Sequence, residues 1–356
     1  MEKKVFKAVV APDSYKECLD AGAVADAMAD GAREAEVEVV KLPLSDGGEG
    51  MLDIIAPAIG ASIRRAEADD PLGRRIVAEY GIKDGCAVLE TARVVGLSLL
   101  KKSERNPLAA STRGLGELIM DAYGKGCRKF LLGLGGSATC DGGAGMLSVP
   151  GIKEVLTEVS VGILCDVKAP FIGAEGAARA FSPQKGASRE DVGILERRME
   201  KLAVEIAAET GIDVSLMEGA GAAGGLGGAL MAYGGARYTS GVDRILDIVG
   251  FEKHAEGADL IITGEGKSDF QTLQGKVPYG VLRRAGGKRV ALVSGMVESE
   301  GMLRNAGFDG IVSVSEGCRS LEEAMEPERA RRNIASGVKK LLTSSWPPGF
   351  LYSRNY

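Results

Sequence analysis

Short apolar runs alternate along this chain with longer stretches whose apolar positions recur three and four residues apart. That alternation predicts strands interleaved with amphipathic helices, and hence an α/β fold with parallel sheet. The runs Val5–Ala11, Val37–Leu42, Asp259–Thr263, Arg289–Val293 and Ile311–Val314 read as strands of one parallel sheet. A helix fits between Asp20 and Ala35, with Ala23, Val24, Ala27, Met28 and Gly31 on one face. A second group of strands falls mid-chain at Ile76–Tyr80, Ala87–Glu90, Lys129–Leu134 and Val161–Cys165, and a helix at Thr112–Gly124 precedes the third of them. The predicted architecture is two α/β domains. A Rossmann-like, discontinuous domain (1–63 and 255–342) is interrupted by an inserted α/β domain (64–254) that carries the glycine-rich loops. The stretch 343–356, with its "WPPG", reads as a loosely ordered tail.

Composition narrows the function. The chain has 356 residues, enough for two cores, and 51 glycines, roughly twice the usual share. The glycines gather where apolar runs stop, as loops do that bring backbone close to a ligand. A net charge of −5 and only 5% aromatic residues argue against nucleic-acid binding. No run approaches the ~18 apolar residues of a membrane span. The start, "MEKKVFKAVVAPDS", is not a secretory signal, so a cytoplasmic location is expected. Six scattered cysteines without a C-x-x-C pair fit reduced thiols. The single histidine, His254, lies at a polar helix end and reads as a surface residue. Acid–base chemistry must therefore come from Asp, Glu or Lys.

Ligands of parallel sheets bind beyond the carboxyl ends of the strands. Five such ends carry carboxylates, lysines and glycines together: Asp13, Ser14 and Lys16; Asp46 to Glu49; Gly135 to Asp141; Asp166 and Lys168; and Glu265, Lys267, Asp269 and Lys276. Glycine amides, lysines and carboxylates in combination point to a polyanion site with a divalent metal. Simpler readings stand beside these. Asp46 before Gly-Gly also fits a plain Asx turn, Asp13 an N-cap, and Lys168 a solvated neighbour. Ser111, Thr112 and Arg113 at a helix start make either a carboxylate site or a cap with an exposed arginine. Gln184 and Lys185 in "FSPQKGAS" make either a phosphate contact or a surface turn. "GEGKS" fails the P-loop pattern because Ile261 stands where glycine is required. "GAGAAG" (219–224) and the G-x-G-x-x-A at 133–138 match the dinucleotide fingerprint only weakly, which leaves an NAD-dependent dehydrogenase as an alternative.

At these residues the chain resembles the bacterial glycerate kinase family. The stretches that carry the likeness are "APDSYK", "LPLSDGGEG", "STRGLGELI", "LGLGGSATCDGGAGML", "CDVKAPFIGAEGAA", "FSPQKGA", "GAGAAGGLGGAL" and "GADLIITGEGKSDFQTLQGKVPYGV", in order over nearly the whole chain. The resemblance implies ATP-dependent phosphorylation of D-glycerate to 2-phosphoglycerate, with 3-phosphoglycerate the lesser option. It departs at Cys140, where the family has Asn, at Lys267 and Ser268, and at Gln274, which often corresponds to His. The chain is also shorter than its relatives between Met146 and Val161. On this reading Asp166 is the base, with Asp46 its competitor, in a cleft between the domains. The amides of Gly135, Gly136 and Ser137 receive the phosphates of Mg·ATP, with Lys16 or Lys185 adding charge. Arg113 holds the substrate carboxylate, and Asp13, Ser14, Glu265 and Asp269 contact substrate. Asp46 and Glu265 are the Mg²⁺ candidates. The alternatives are a kinase of another small hydroxy acid and an inactive nucleotide-binding relative; a monomer or homodimer is expected.

Overall fold

The structure is a computed structural model and describes residues 6–345. Its strands run in chain order as β1 (Lys7–Val10), β2 (Glu38–Lys41), β3 (Ser62–Asp69), β4 (Arg75–Lys83), β5 (Cys86–Glu90), β6 (Lys129–Gly133), β7 (Ser160–Leu164), β8 (Arg237–Thr239), β9 (Leu260–Thr263), β10 (Lys267–Ser268), β11 (Arg289–Ser294), β12 (Met296–Val297) and β13 (Gly310–Ser313). Two compact units result, one made of the residues up to Ser45 and from Ile245 onward, the other of Asp46–Arg244.

The first unit holds a five-stranded, all-parallel sheet ordered β13-β11-β9-β1-β2. These are the five strands the apolar runs predict. Their inner members, β1, β9 and β11, are buried nearly end to end, as strands covered on both faces must be. The strand order reverses between β1 and β9. The crevice outside their carboxyl ends is thus the topological switch point where open α/β sheets bind ligands. Helix Ala21–Glu34 starts on the side chain of Asp20, which accepts from the Ala23 amide. It packs on helix Pro327–Lys340.

The second unit holds a six-stranded mixed sheet, β3-β4-β5-β6-β7-β8, antiparallel from β3 to β5 and parallel from β5 to β8. The sequence hides two of its strands. β3, "SIRRAEAD", is an edge strand with mostly exposed or half-buried side chains, and β8 has only three residues. The first crossing between units falls at 45/46 rather than 63/64. Helix Met51–Ile59 buries Met51, Leu52 and Ile55 and packs on β4 and β5, so it belongs with the inserted sheet. The second falls at 244/245 rather than 254/255. Leu341–Ser345 forms one π-helical turn, and the rest of the expected tail lies outside the described residues. Among the described residues no helix is long and apolar enough to cross a membrane.

Gly31 gives a clear test of the helix pair. In an open helix, Gly→Ala stabilises by about 1 kcal/mol. Here a Cβ at position 31 would lie 2.1 Å from the Ala335 carbonyl oxygen, inside the facing helix. Overpacking of this kind costs about 1–3 kcal/mol, so the steric term wins. Gly31→Ala is expected to lower the free energy of urea unfolding; a gain would mean that the helices are not this close.

Candidate functional site

Four loops converge at the carboxyl edge of the second unit's parallel strands. Gly135, after β6, lies against Gly48 of the Asp46 loop, where an added Cβ would come within 2.5 Å of the Gly48 Cα. Gly241, after β8, lies so close that a Cβ there would meet the Asp46 carbonyl oxygen at 2.0 Å. The loop after β7 carries Asp166. The glycines around Asp46 therefore serve first to let these backbones touch. Asp46 itself accepts from the Gly48 amide at 2.9 Å, so it makes the Asx turn and also stands in the cluster.

Asp166 is half-buried. Its carboxylate takes the Val242 amide at 3.4 Å, at the start of helix Gly241–Ile248, and a hydrogen bond from Ser240. Burial raises its pKa above the ordinary carboxylate value, the charges of Asp46 and Asp243 push the same way, and the two hydrogen bonds oppose. The Asp46 charge is thus one of the influences that raise Asp166.

Lys185 closes another side of the glycine-rich loop. It is only 4% exposed, and its ammonium donates to Ser137 Oγ at 2.9 Å and to the Thr139 carbonyl at 2.7 Å. No carboxylate pairs with it among the described residues, and burial brings its pKa down to about 8. Gly136 is exposed, and among the described residues the amides of Gly136 and Ser137 donate to no protein acceptor. The Gly135 amide is spent on the Gly47 carbonyl at 3.4 Å.

The first unit gathers its own candidates at the switch point. The Asp13 amide bonds the Gly264 carbonyl, and Asp13 Oδ1 accepts from the Ser14 amide. Asp13 is buried and Lys16 exposed. Glu265 is buried and already takes three donors, Ser268 Oγ, Thr272 Oγ1 and the Lys276 ammonium at 3.0 Å. Those bonds take most of the acceptor positions a cation would use. Asp269 caps the turn Phe270–Gln274 through the Gln271 amide and lies 3.7 Å from Lys267. Both side chains hold the loop in shape. Gln274 is exposed, and His254 is half-buried in the short helix Phe251–Glu256.

Arg113 lies in an ionic cluster within the second unit, 3.4 Å from both Asp69 and Glu117. The helix start beside it is capped by Asp141, which accepts from the Thr112 amide and hydroxyl and from the Gly143 and Gly145 amides. The anion at that terminus is the protein's own. Gly145 is needed there, because a Cβ would meet Ser111 Oγ at 2.1 Å. Cys140 is buried against Met199.

Some site-shaping residues escape a reading of the sequence. Glu90, buried at the end of β5, accepts from the Gly50 and Leu52 amides and holds the Asp46 loop from below. Its signal was a carboxylate closing a strand, as at Asp166. Ser240 follows a strand too short to recognise. The dehydrogenase alternative loses one of its two supports: "GAGAAG" follows no strand, and its Gly224 packs against the Thr139 carbonyl instead. Among the described residues no group of three or more His, Cys, Asp or Glu could hold a metal alone.

The model of the glycerate kinase family matches residues 8–155 and 148–344. A glycerate 2-kinase from Escherichia coli (strain K12) is 36% identical over 371 residues, spanning 93% of this chain and 97% of that protein. A glycerate kinase from Bacillus subtilis (strain 168) is 36% identical over 379 residues, spanning 95% and 99%. A crystal structure of a provisionally assigned glycerate kinase 2 from Salmonella typhimurium LT2 superposes with a TM-score of 0.77 at 35% identity, covering 96% of this chain and 98% of that one.

The Lys185 environment has a stability consequence of defined sign. Its pKa is about 8 folded against 10.5 for the free side chain, so between those values the unfolded chain binds more protons. Stability gains from this group as pH rises through that window, by about 3 kcal/mol in total. The buried Cys140 and Cys165 thiols, both raised to about 11, titrate in the opposite sense. The measurement is therefore the difference between wild type and Lys185→Met in urea unfolding at pH 7.5 and pH 10. The variant's advantage is expected to shrink at the higher pH; a constant difference would remove the desolvated ammonium.

Proposed function

The chain belongs to the glycerate kinase family, and from that premise we propose that it transfers the γ-phosphoryl group of ATP to the 2-hydroxyl of D-glycerate, giving 2-phosphoglycerate. The observation that carries the mechanism is Asp166, raised by burial and by the charge of Asp46, at a glycine-lined strand edge whose Gly135–Thr139 loop holds a buried ammonium. The name of the Escherichia coli relative, glycerate 2-kinase, supports the 2-hydroxyl over the 3-hydroxyl.

Phosphoryl transfer needs alignment and charge neutralisation more than covalent help from the protein. Asp166 accepts the proton of the attacking hydroxyl while the hydroxyl oxygen bonds to the γ-phosphorus and ADP departs. Its raised pKa brings it closer to neutrality, where a base is more effective. The Gly136 and Ser137 amides and the Lys185 ammonium meet the phosphate oxygens. Magnesium characteristically takes one or two carboxylates plus substrate phosphates, and Asp46 and Glu265, the latter already taking three donors, are the carboxylates that would hold it. When bound, the metal neutralises phosphate charge. At the switch point of the other unit, Asp13 and Ser14 are the candidates for substrate hydroxyl contact, and Lys16 for added charge. Arg113 is better read as a structural ion-pair residue than as the substrate's carboxylate clamp.

Four measurements test this reading. A coupled ADP-release assay with D-glycerate and related hydroxy acids, followed by NMR of the product, decides substrate and position. Nucleotide binding without turnover would instead identify an inactive relative. Asp166→Asn is expected to lower kcat by about 10²–10⁴ with unfolding temperature unchanged; near-normal turnover would remove Asp166 as base. In the wild type, the acid limb of kcat/KM should lie above the ordinary carboxylate range, and Asp46→Asn should move any residual limb downward, because the like charge that raises Asp166 is gone. An unmoved limb would uncouple the two. Arg113→Met should leave the KM for glycerate unchanged and cost at most about 1 kcal/mol, since its ion pairs are half-exposed. A large rise in KM would return Arg113 to the substrate.

A further inference from the structure

Buried polar atoms without partners are rare in folded proteins, and each calls for an explanation. Among the described residues four side-chain atoms are shut off from water with no hydrogen bond: Thr91 Oγ1, Arg105 Nε, Thr139 Oγ1 and Glu196 Oε2. Three of the four belong to residues that touch the glycine-rich loop or the Lys185–Gly186 turn beside it. The Thr91 amide bonds the Gly133 carbonyl. The Thr139 carbonyl receives the Lys185 ammonium. The Arg105 carbonyl lies against Gly186, immediately after Lys185, where an added Cβ would come within 2.6 Å of it.

Arg105 is the informative member. Other arginines of this unit, such as Arg74, Arg75, Arg93 and Arg113, pair with carboxylates. Among the described residues no carboxylate pairs with the half-buried Arg105, and its Nε has no acceptor at all. A guanidinium left in that state is matched by an oxyanion from outside the chain. Nearby, Lys185 is a buried cation with no carboxylate within ion-pair distance among the described residues, the Asp141 charge acting on it from farther off. Two cations without a direct ion pair suit an anion of more than one charge, so a phosphate group fits better than a single carboxylate. Arg74, tied to Asp70 and Glu104 just before Arg105, keeps the nearby acidic side chains engaged.

We infer that Arg105 binds the phosphates of the nucleotide, completing with Lys185, Gly136 and Ser137 an oxyanion subsite that the sequence motifs do not mark. The inference rests on the proposed ATP-dependent reaction but is tested by equilibrium binding, which needs no turnover. The intact chain and its Arg105→Met and Arg105→Lys variants would be titrated separately with ATP, inorganic phosphate and D-glycerate, and their unfolding temperatures recorded. Loss of a charged hydrogen-bond partner should weaken ATP by roughly 10- to 100-fold. Glycerate affinity should be unchanged, and unfolding temperature should not fall, because an unpartnered buried donor has been removed. Lysine should restore part of the ATP affinity by keeping the charge, which also covers a methionine variant that fails to fold. Unchanged ATP affinity in both variants would overturn the inference, and so would weakened glycerate or weakened inorganic phosphate with ATP intact. Should the chain fail to phosphorylate glycerate while Arg105→Met still weakens ATP, the subsite stands and only the reaction assignment falls.

Discussion

The Asp46 carbonyl oxygen sits where a side chain at position 241 would have to be, and Gly48 meets Gly135 with no room for a methyl group between them. This close approach of bare backbone is the constraint on which the rest of the second unit's site depends. Parallel strands deliver their following loops to one edge. Only glycine at the contact points lets those loops touch rather than be held apart by Cβ atoms. Once they touch, Asp46 and Asp166 feel each other's charge, and Ser240 and the Val242 amide come within reach of Asp166. Glu90 fixes the same loop from below by taking two of its amides.

Charge in this unit is distributed unevenly, and the unevenness separates scaffold from site. Arg74, Arg75, Arg93 and Arg113 each meet carboxylates, in pairs that range from exposed to partly buried. Exposed pairs of this kind contribute little to stability but leave no charge unsatisfied. Lys185 and Arg105 meet none among the described residues, although the first is buried and the second half-buried. Asp166 shows the complementary imbalance, a carboxylate raised by burial and by a like charge. A protein tolerates such groups where an incoming ligand completes them.

The fold was legible from the sequence because buried parallel strands announce themselves as continuous apolar runs. All five strands of the first unit's larger sheet lie within a residue or two of their expected places, and the inner strands of the second unit within three. Strand β3 was not legible, because an edge strand with one wet face carries arginines and glutamates in place of an apolar run. The contact units divide at 45/46 rather than at the expected 63/64 because helix Met51–Ile59 packs on β4 and β5, a tertiary contact. The candidate loops were legible too, as clusters of carboxylate, lysine and glycine after strands. Their partners were not. Nothing in "STRGLGELI" shows that Asp141 caps that helix, or that Asp69 and Glu117 hold the arginine.

By itself, then, the sequence determined the α/β class, the loops that bear the chemistry, and the family, because periodicity and local motifs are properties of neighbours along the chain. The tertiary structure alone decided which of those residues are already satisfied. Glu265, Asp269 and Arg113 find their counterparts in residues distant in space or hidden in a turn. Lys185 finds two neutral acceptors and no carboxylate partner, and the Arg105 Nε finds no acceptor, among the described residues. Whether a polar group is spent on the fold or left for a ligand depends on burial and on partners, and both exist only once the chain has closed on itself.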